Sequence, residues 1–429
     1  MVLLTHKAIM SKRAAILNFV GCSNYGANLT AYAIAEYCKK LGIEPTMVNR
    51  RFLYTTAPSL LDSPFSRFGD KYLRWSSQCL GRHTFQAISA EYDTFIVGSD
   101  QVWSYQPGWG TRHVAEREIF DFTDLPEGKK KIAMAASFGS ADHSAVPQDF
   151  IEARSQALKR FTAMSVREAS GVGICRDYYG VQAVHVLDPV FLLNREEWGR
   201  LADEGRKTLP NEFAAFCTLH TPYVPICHQL AERWDSTGLP SVHLLNGEEV
   251  ADWVNIIRQC KVLVTDSFHA TCFGIIFRKP VIHLNIESRG GDRIPSLSRM
   301  LTVPIPIFSE EELLNNTENT LSRLAALKDA PMDYTAAEPV LAAQIDATRR
   351  FLQQALDAPM PPGSTAVQVD RSAVRAERRA YLAPLWKEIR RLLPQYTRHR
   401  IRGIFNREKL AQSEREKRRL LLLWKMITY

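Results

Sequence analysis

The residue best suited to move a proton near neutral pH is His269, in the run Asp266-Ser267-Phe268-His269-Ala270-Thr271 directly after the apolar stretch CKVLVT. Imidazole is the side chain whose ordinary titration falls in that range. The small residues and the apolar run Cys272 to Phe277 that follow predict a helix, so His269 stands at a helix start facing a cleft between domains. A packed structural role is the alternative. Of the eleven histidines, His185, His243 and His283 lie in strand-like runs that suit packing, whereas His6, His83, His143 and His399 lie in polar or irregular context.

Three further runs offer groups for an anion. Ser165-Val166-Arg167-Glu168 ends an apolar run with a guanidinium, whose planar fork suits a carboxylate or phosphate, unless Arg167 and Glu168 simply pair with each other. Gly98-Ser99-Asp100-Gln101-Val102-Trp103 places three polar side chains beyond a buried strand, either to bind a ligand or to cap the next helix. Asn24-Tyr25-Gly26-Ala27-Asn28 lies between a strand and a helix. Small residues there let an anion approach the unpaired N–H groups of the first turn, although the same residues also suit a plain strand-to-helix turn.

Elements of an α/β fold must position these groups. From Ala14 onward, short apolar runs alternate with polar turns and amphipathic stretches of helical length, which predicts largely parallel sheets. Strands are expected at 14–20, 43–49, 94–100, 131–139, 161–168 and 183–193. After a charged boundary at 194–210, a second set is expected at 213–219, 241–245, 260–266 and 279–285. Helices suit 29–42, 223–238 and 248–259, and residues 50–92 read as helical hairpins or an excursion from the sheet. The polar ends of buried parallel strands meet at one sheet edge, where open α/β sheets bind ligands. Two Rossmann-like domains facing a cleft, a GT-B-like arrangement, are therefore expected over 1–200 and 201–358, followed by a mostly helical basic extension over 359–429.

Composition narrows the class further. With 429 residues, 45% hydrophobic and 23% charged, the chain is of ordinary globular composition and long enough for two cores. Its eight cysteines are scattered singly, so neither a zinc site nor a disulfide framework is signalled. The first residues carry too short an apolar run for a secretory signal, and no run reaches the length of a spanning helix, which leads to a cytoplasmic expectation. The net charge of +8 is unevenly placed: residues 371–429 hold 17 Lys+Arg against 5 Asp+Glu, or +12, leaving −4 for the rest. A basic tail on an acidic body does not suit a nucleic-acid enzyme, whose cations should line the working cleft.

The set NYGANLTAYAIA, YDTFIVGSDQVW, KIAMAASFG, SVREASGVGIC, VLDPVFLL with Trp198, and VTDSFHATCFGIIFRKPVI resembles the polysaccharide pyruvyl transferase family in order and spacing, over roughly residues 14–300. The resemblance implies a GT-B-like fold, phosphoenolpyruvate as the donor substrate, a saccharide acceptor, and neither a metal nor a cofactor. Arg167 and His269 match the family motifs. Where other branches look like R-x-H, this chain has Ser267-Phe268-His269, so an arginine expected near the donor is missing. Arg293 and Arg289, in RGGDRIPSL, are candidates to replace it, with an Arg293–Asp292 surface pair as the alternative.

The implied site takes His269 as catalytic. Arg167, Ser267, Asn24, Gly26, Asn28, Ser99, Asp100, Gln101 and Arg293 are the implied substrate-binding residues. His269 would pass a proton to or from a hydroxyl or the enol carbon, with Asp100 or Asp266 orienting groups nearby. A GT-B-type glycosyltransferase using a nucleotide sugar, or a non-catalytic glycan-binding protein, remains open on the same architecture. So does a homo-oligomer. The tail alternates arginine and lysine with aromatic and aliphatic residues over Tyr381 to Leu393 and Glu408 to Met426. It suits an anionic membrane surface, as expected of a peripheral protein at the inner face of the cell membrane with a lipid-linked acceptor, or else packing on the body or a second subunit.

Overall fold

The computed structural model describes residues 12–20, 24–50, 63–105, 119–244, 247–287, 291–315, 317–384, 386–387 and 417. Seven parallel strands form the first sheet: β1 (Lys12–Leu17), β2 (Ile43–Asn49), β3 (Trp75–Gln78), β4 (Thr94–Val97), β5 (Lys130–Ala136), β6 (Ala163–Val166) and β7 (Val184–His185). Their order is β3-β2-β1-β4-β5-β6-β7. Five more form the second: β8 (Ala214–Cys217), β9 (Ser241–His243), β10 (Val262–Thr265), β11 (Val281–Leu284) and β12 (Ile307–Phe308), in the order β12-β11-β10-β8-β9. The direction of winding reverses between β1 and β4 in one sheet and between β8 and β10 in the other. The crevices that such reversals open are where doubly wound sheets take ligands. This is the expected α/β arrangement of two Rossmann-like sheets.

Three local expectations are corrected. The stretch 50–92 contains, besides the helices Pro64–Tyr72 and Arg82–Ser89, the edge strand β3, whose WSSQ sequence hides it. Because β3 pairs only with β2 among the described residues, its outer side needs no apolar run. The long run 183–193 is not one strand: pairing stops at His185, and Pro189 opens a 3-10 turn, Pro189–Leu192, with Asp188 as its cap. Within the charged boundary, Asn194 and Glu197 form a reciprocal capping box on the helix Arg195–Ala202.

The two sheets are joined by a shared apolar core. Tyr25, Leu29, Phe65 and Phe68 from the first pack with Trp198, Trp253, Phe268 and Phe273. Tyr25 stacks on Trp253 with ring centroids 5.1 Å apart and donates its hydroxyl to the Glu248 carbonyl at 2.9 Å. The helix Glu338–Asp357, which the sequence reading grouped with the second domain, crosses back to the first. Its Leu352, Ala355 and Leu356 pack beside Ile96, Ile132 and Leu192. There the buried Thr348 hydroxyl accepts the Leu187 N–H at 3.0 Å, and Arg349 donates to the Leu192 carbonyl at 2.8 Å. The turn bearing Asp188 is thus braced by a segment from the far end of the fold.

The start of the basic extension is also attached. Residues 371–384 are helical, and Glu377 accepts the His83 and Thr84 N–H groups, both at 2.9 Å, at the start of Arg82–Ser89. Apart from Lys417, the Glu408 to Met426 segment lies outside the described residues, as do Arg289, residue 385 and residues 388–393. Among the described residues, no helix is long and apolar enough to cross a membrane.

Thr348→Val keeps the shape of the brace but leaves the buried Leu187 N–H without an acceptor. A loss of about 1–3 kcal/mol is expected, against less than about 0.5 kcal/mol for the exposed Gln353→Ala. Chemical denaturation of both variants measures the difference, and equal stabilities would remove the brace from the account.

Candidate active site

At the end of β4 the chain turns through Gly98 and Ser99 into Asp100, which takes the left-handed conformation with φ of 73°. That is unusual for a residue with a side chain and tolerated best by Asp and Asn. The turn delivers the Asp100 carboxylate to Arg167, at the end of β6. Arg167 has no solvent-exposed side-chain surface and meets three carboxylates. Nε donates to Glu168 at 2.9 Å, one terminal nitrogen to Asp188 at 3.0 Å and the other to Asp100 at 3.2 Å. Its Cζ lies over the Phe268 ring, 4.4 Å from the centroid.

Two hydroxyls complete this network. Ser99 donates to Asp188 at 2.8 Å, and Ser137 donates to Glu168 at 2.8 Å. For Arg167, Asp188 and Asp100 burial disfavours charge, but the attraction of opposite charges outweighs it. Against burial, Glu168, Asp100 and Asp188 together raise the pKa of Arg167. Burial would raise the carboxyl pKa of Asp188, yet His269, Arg167 and the Val190 N–H hold it well below the usual range. Asp100 is lowered likewise, against burial, by Arg167, His269 and Arg293.

His269 enters from the second domain, in the first turn of the helix Phe268–Ile276 capped by Ser267. Its Nε2 lies 3.5 Å from Asp188 Oδ2 and 3.3 Å from the Thr30 hydroxyl. The ring rests on Gly26, where an added Cβ would come 2.0 Å from Nδ1. Gly26 therefore serves the close approach of imidazole and helix. The Thr30 hydroxyl donates to the Gly26 carbonyl at 2.6 Å and so ties the same turn.

A cavity of about 680 Å³ opens in front of this cluster, between the strand ends of the two sheets. Of the predicted site residues, Asn24, Asp100, Gln101, Ser267, His269 and Arg293 line it. Ser99, Gly26, Asn28 and Arg167 stand behind that lining: Asn28 is buried and donates to the Asn24 carbonyl at 2.7 Å, and Ser99 is enclosed beside Asp188. The suggested Arg167–Glu168 pair is real but is one third of a larger arrangement. Asp266 also lines the cavity, with its carboxylate accepting the Leu219 and His220 N–H groups at 2.7 to 2.9 Å. Arg293 opens the helix Arg293–Leu301, lines the cavity and lies 5.9 Å from the Phe268 ring centroid, on the ring that Arg167 also covers. Asp292 pairs with Arg299, at 3.1 Å.

Asp188 was missed as a site residue. Its signal was the Asp-Pro pair interrupting an apolar run, which reads as a turn until His269 and Arg167 are found at its oxygens. Chemically, the site joins an imidazole backed by a carboxylate, an arginine on the cavity wall, and the first turns of the helices that begin after Asn24 and Ser267. Such an arrangement can transfer a proton beside a bound anion.

Residues 24–288 match the family model for polysaccharide pyruvyl transferase, and the chain belongs to that family. Comparison with curated proteins gives no match. Among solved structures, it is similar to a putative UDP-N-acetylglucosamine 2-epimerase from Listeria monocytogenes, with TM-score 0.49, 12% identity, and coverage of 82% of this chain and 99% of the other. The UDP-GlcNAc 2-epimerase of Methanocaldococcus jannaschii gives TM-score 0.47 and 10% identity, covering 77% and 99%. The E. coli ADP-heptose lps heptosyltransferase II gives 0.37 and 13%, covering 74% and 98%.

Gly26→Ala should force the His269 ring away and destabilise the protein by about 1–3 kcal/mol through overpacking. Gly173→Ala is the control, a helical glycine whose added Cβ would meet only Asp177 at 3.8 Å. It should be neutral or stabilising by about 0.5–1 kcal/mol. Thermal melts with histidine-resolved NMR distinguish the two, and an unperturbed His269 in Gly26→Ala would disprove the contact.

Proposed function

We propose that this chain transfers the pyruvyl group of phosphoenolpyruvate to two hydroxyls of a saccharide, forming a cyclic ketal and releasing phosphate. The family membership supports the reaction class. The single observation that carries the assignment to this site is the convergence of His269, Arg293 and two helix N-termini on one cavity. Phosphoenolpyruvate bears a phosphate and a carboxylate, so its site needs fixed donors for both and one proton-transfer group.

The roles divide as follows. Arg293 and the first-turn N–H groups after Asn24 and Ser267 hold the donor's anionic groups. His269 exchanges a proton with the enol carbon or an attacking hydroxyl, its ring oriented by Asp188. Protonation of the methylene carbon makes C2 electrophilic, and one hydroxyl adds there. The C2–O bond to phosphate then breaks, and the second hydroxyl closes the ketal. The two protons leaving the hydroxyls are balanced by one on the new methyl group and one on the departing phosphate.

Arg167 has a different task from the one its motif suggests. With three carboxylates on its fork, it has no net charge left to attract an anion, and it acts by fixing Asp188 and Asp100. Arg293, on the cavity wall, stands in for the arginine that family branches with R-x-H carry at the Ser267 position.

Phosphate release from phosphoenolpyruvate, followed with a saccharide acceptor, tests the reading. Arg293→Ala should raise the KM for phosphoenolpyruvate by roughly 10- to 100-fold, the loss expected for a hydrogen bond to a charged group. Adding Ser267→Arg should restore part of it. Arg167→Ala should instead lower the melting temperature sharply, because it removes the cation from the buried Asp188 and Glu168 and the partly buried Asp100. Turnover of a nucleotide sugar with no phosphate from phosphoenolpyruvate would transfer the chain to the glycosyltransferase reading.

A further inference from the structure

The cavity is far larger than phosphoenolpyruvate needs, and its two ends differ in chemistry. One end is the charged cluster around His269 and Arg293. The other is a wall of the first domain built from Phe19, Tyr105 and Phe138, edged by Gln101 and Asp142; Phe138 reaches the charged end and shares a small recess with Arg293. Each ring is backed by further aromatic residues. Phe19 packs on Phe120 with centroids 4.8 Å apart, Tyr105 on Phe150 at 5.2 Å, and Phe138 on Trp103 at 5.5 Å and Tyr179 at 5.7 Å. The wall is therefore set in shape before any ligand arrives.

The loop that carries Asp142 is fixed by two contacts. The buried His143 ring bonds the Tyr179 hydroxyl through Nε2 at 2.6 Å, and Asp142 Oδ1 accepts the Ser144 N–H at 2.9 Å. Gly139, with φ of 79°, brings the loop onto Gln101, where an added Cβ would stand 3.2 Å from the amide carbon. Gln101 directly follows Asp100, so the wall adjoins the charged end of the cavity.

We infer that the Phe19–Tyr105–Phe138 wall, with Gln101 and Asp142 at its edge, is the subsite for the acceptor's hexose ring; this rests on the pyruvyl-transfer reading. A hexopyranose has an apolar face of C–H groups and a rim of hydroxyls. An aromatic surface receives the face, and amide and carboxylate oxygens at its border take the rim. The hydroxyls of a sugar give up hydrogen bonds to water on entering, and the polar groups of Gln101 and Asp142 at the edge of the wall are placed to replace them. A sugar stacked here carries its hydroxyls toward Asp100 and His269, where the donor's C2 would lie.

The test uses the full-length protein with p-nitrophenyl β-glucoside, β-galactoside and β-mannoside as probes. Binding is read by tryptophan fluorescence without donor, since Trp103 lies directly behind Phe138. At least one hexoside should bind, and Tyr105→Ala and Asp142→Asn should each weaken it roughly tenfold. Tyr105→Phe should retain binding. Phosphoenolpyruvate affinity, measured separately by calorimetry, should be unchanged in all three variants. The melting temperature should be unchanged in Tyr105→Phe and Asp142→Asn and modestly lowered in Tyr105→Ala, which loses the packing on Phe150. No hexoside binding, or binding that Tyr105→Ala leaves intact, overturns the subsite. Hexoside binding lost in Tyr105→Ala, in a protein that binds no phosphoenolpyruvate, would keep the subsite while refuting the pyruvyl reading.

Discussion

A guanidinium enclosed by three carboxylates is the constraint on which the rest of this site depends. Arg167 cannot be buried as a lone cation, nor Asp188, Asp100 and Glu168 as lone anions, because each would lose several kcal/mol of hydration without repayment. Buried together, they require one geometry. The strained turn at Asp100, the end of β6 and the Asp188 turn must all meet within hydrogen-bond distance. The second domain is included as well, since Phe268 lies against the guanidinium and His269 against Asp188. Docking of the two sheets and assembly of the site are consequently one event.

This arrangement also links Arg167 to His269 through a shared carboxylate. Arg167 and Asp188 act on His269 without touching the cavity, one by fixing the carboxylate and the other by fixing the ring. Second-line groups of this kind decide whether a proton-transfer residue is held in a productive position. The same reasoning assigns Gly26 its role: a glycine in a strand-to-helix turn looks chosen for the backbone or for an anion, and here it makes room for an imidazole. His283, behind the same helix, shows the contrasting outcome. Bonded to Thr271 and buried, it has a pKa pushed down to about 3, chiefly by burial, so it packs as a neutral ring.

Much of the architecture was legible because buried parallel strands are continuous apolar runs ending in turns, and His269, Asp100 and Gln101 were found by their place at those ends. What escaped notice did so for identifiable reasons. β3 is an edge strand with one partner, so WSSQ carries no apolar signature. The return of Glu338–Asp357 to the first sheet is a tertiary choice that amphipathic periodicity cannot encode. Asp188 was hidden inside an apolar run, and His143 in a polar one, although it is buried with its partner Tyr179. Spacing brought Arg167 to the correct strand end but could not count the carboxylates around it, which is why it read as a ligand for anions.

The central claim is that His269 and its Asp188 support a reaction in which the enol carbon of phosphoenolpyruvate gains a proton and C2 is passed to sugar hydroxyls. The most direct measurement is mass spectrometry of the product formed in deuterated water with unlabelled phosphoenolpyruvate. The account predicts a pyruvyl ketal whose methyl group carries one solvent deuterium, accumulating in step with free phosphate and lost in His269→Gln. A ketal methyl without deuterium, or undiminished product from His269→Gln, would contradict it.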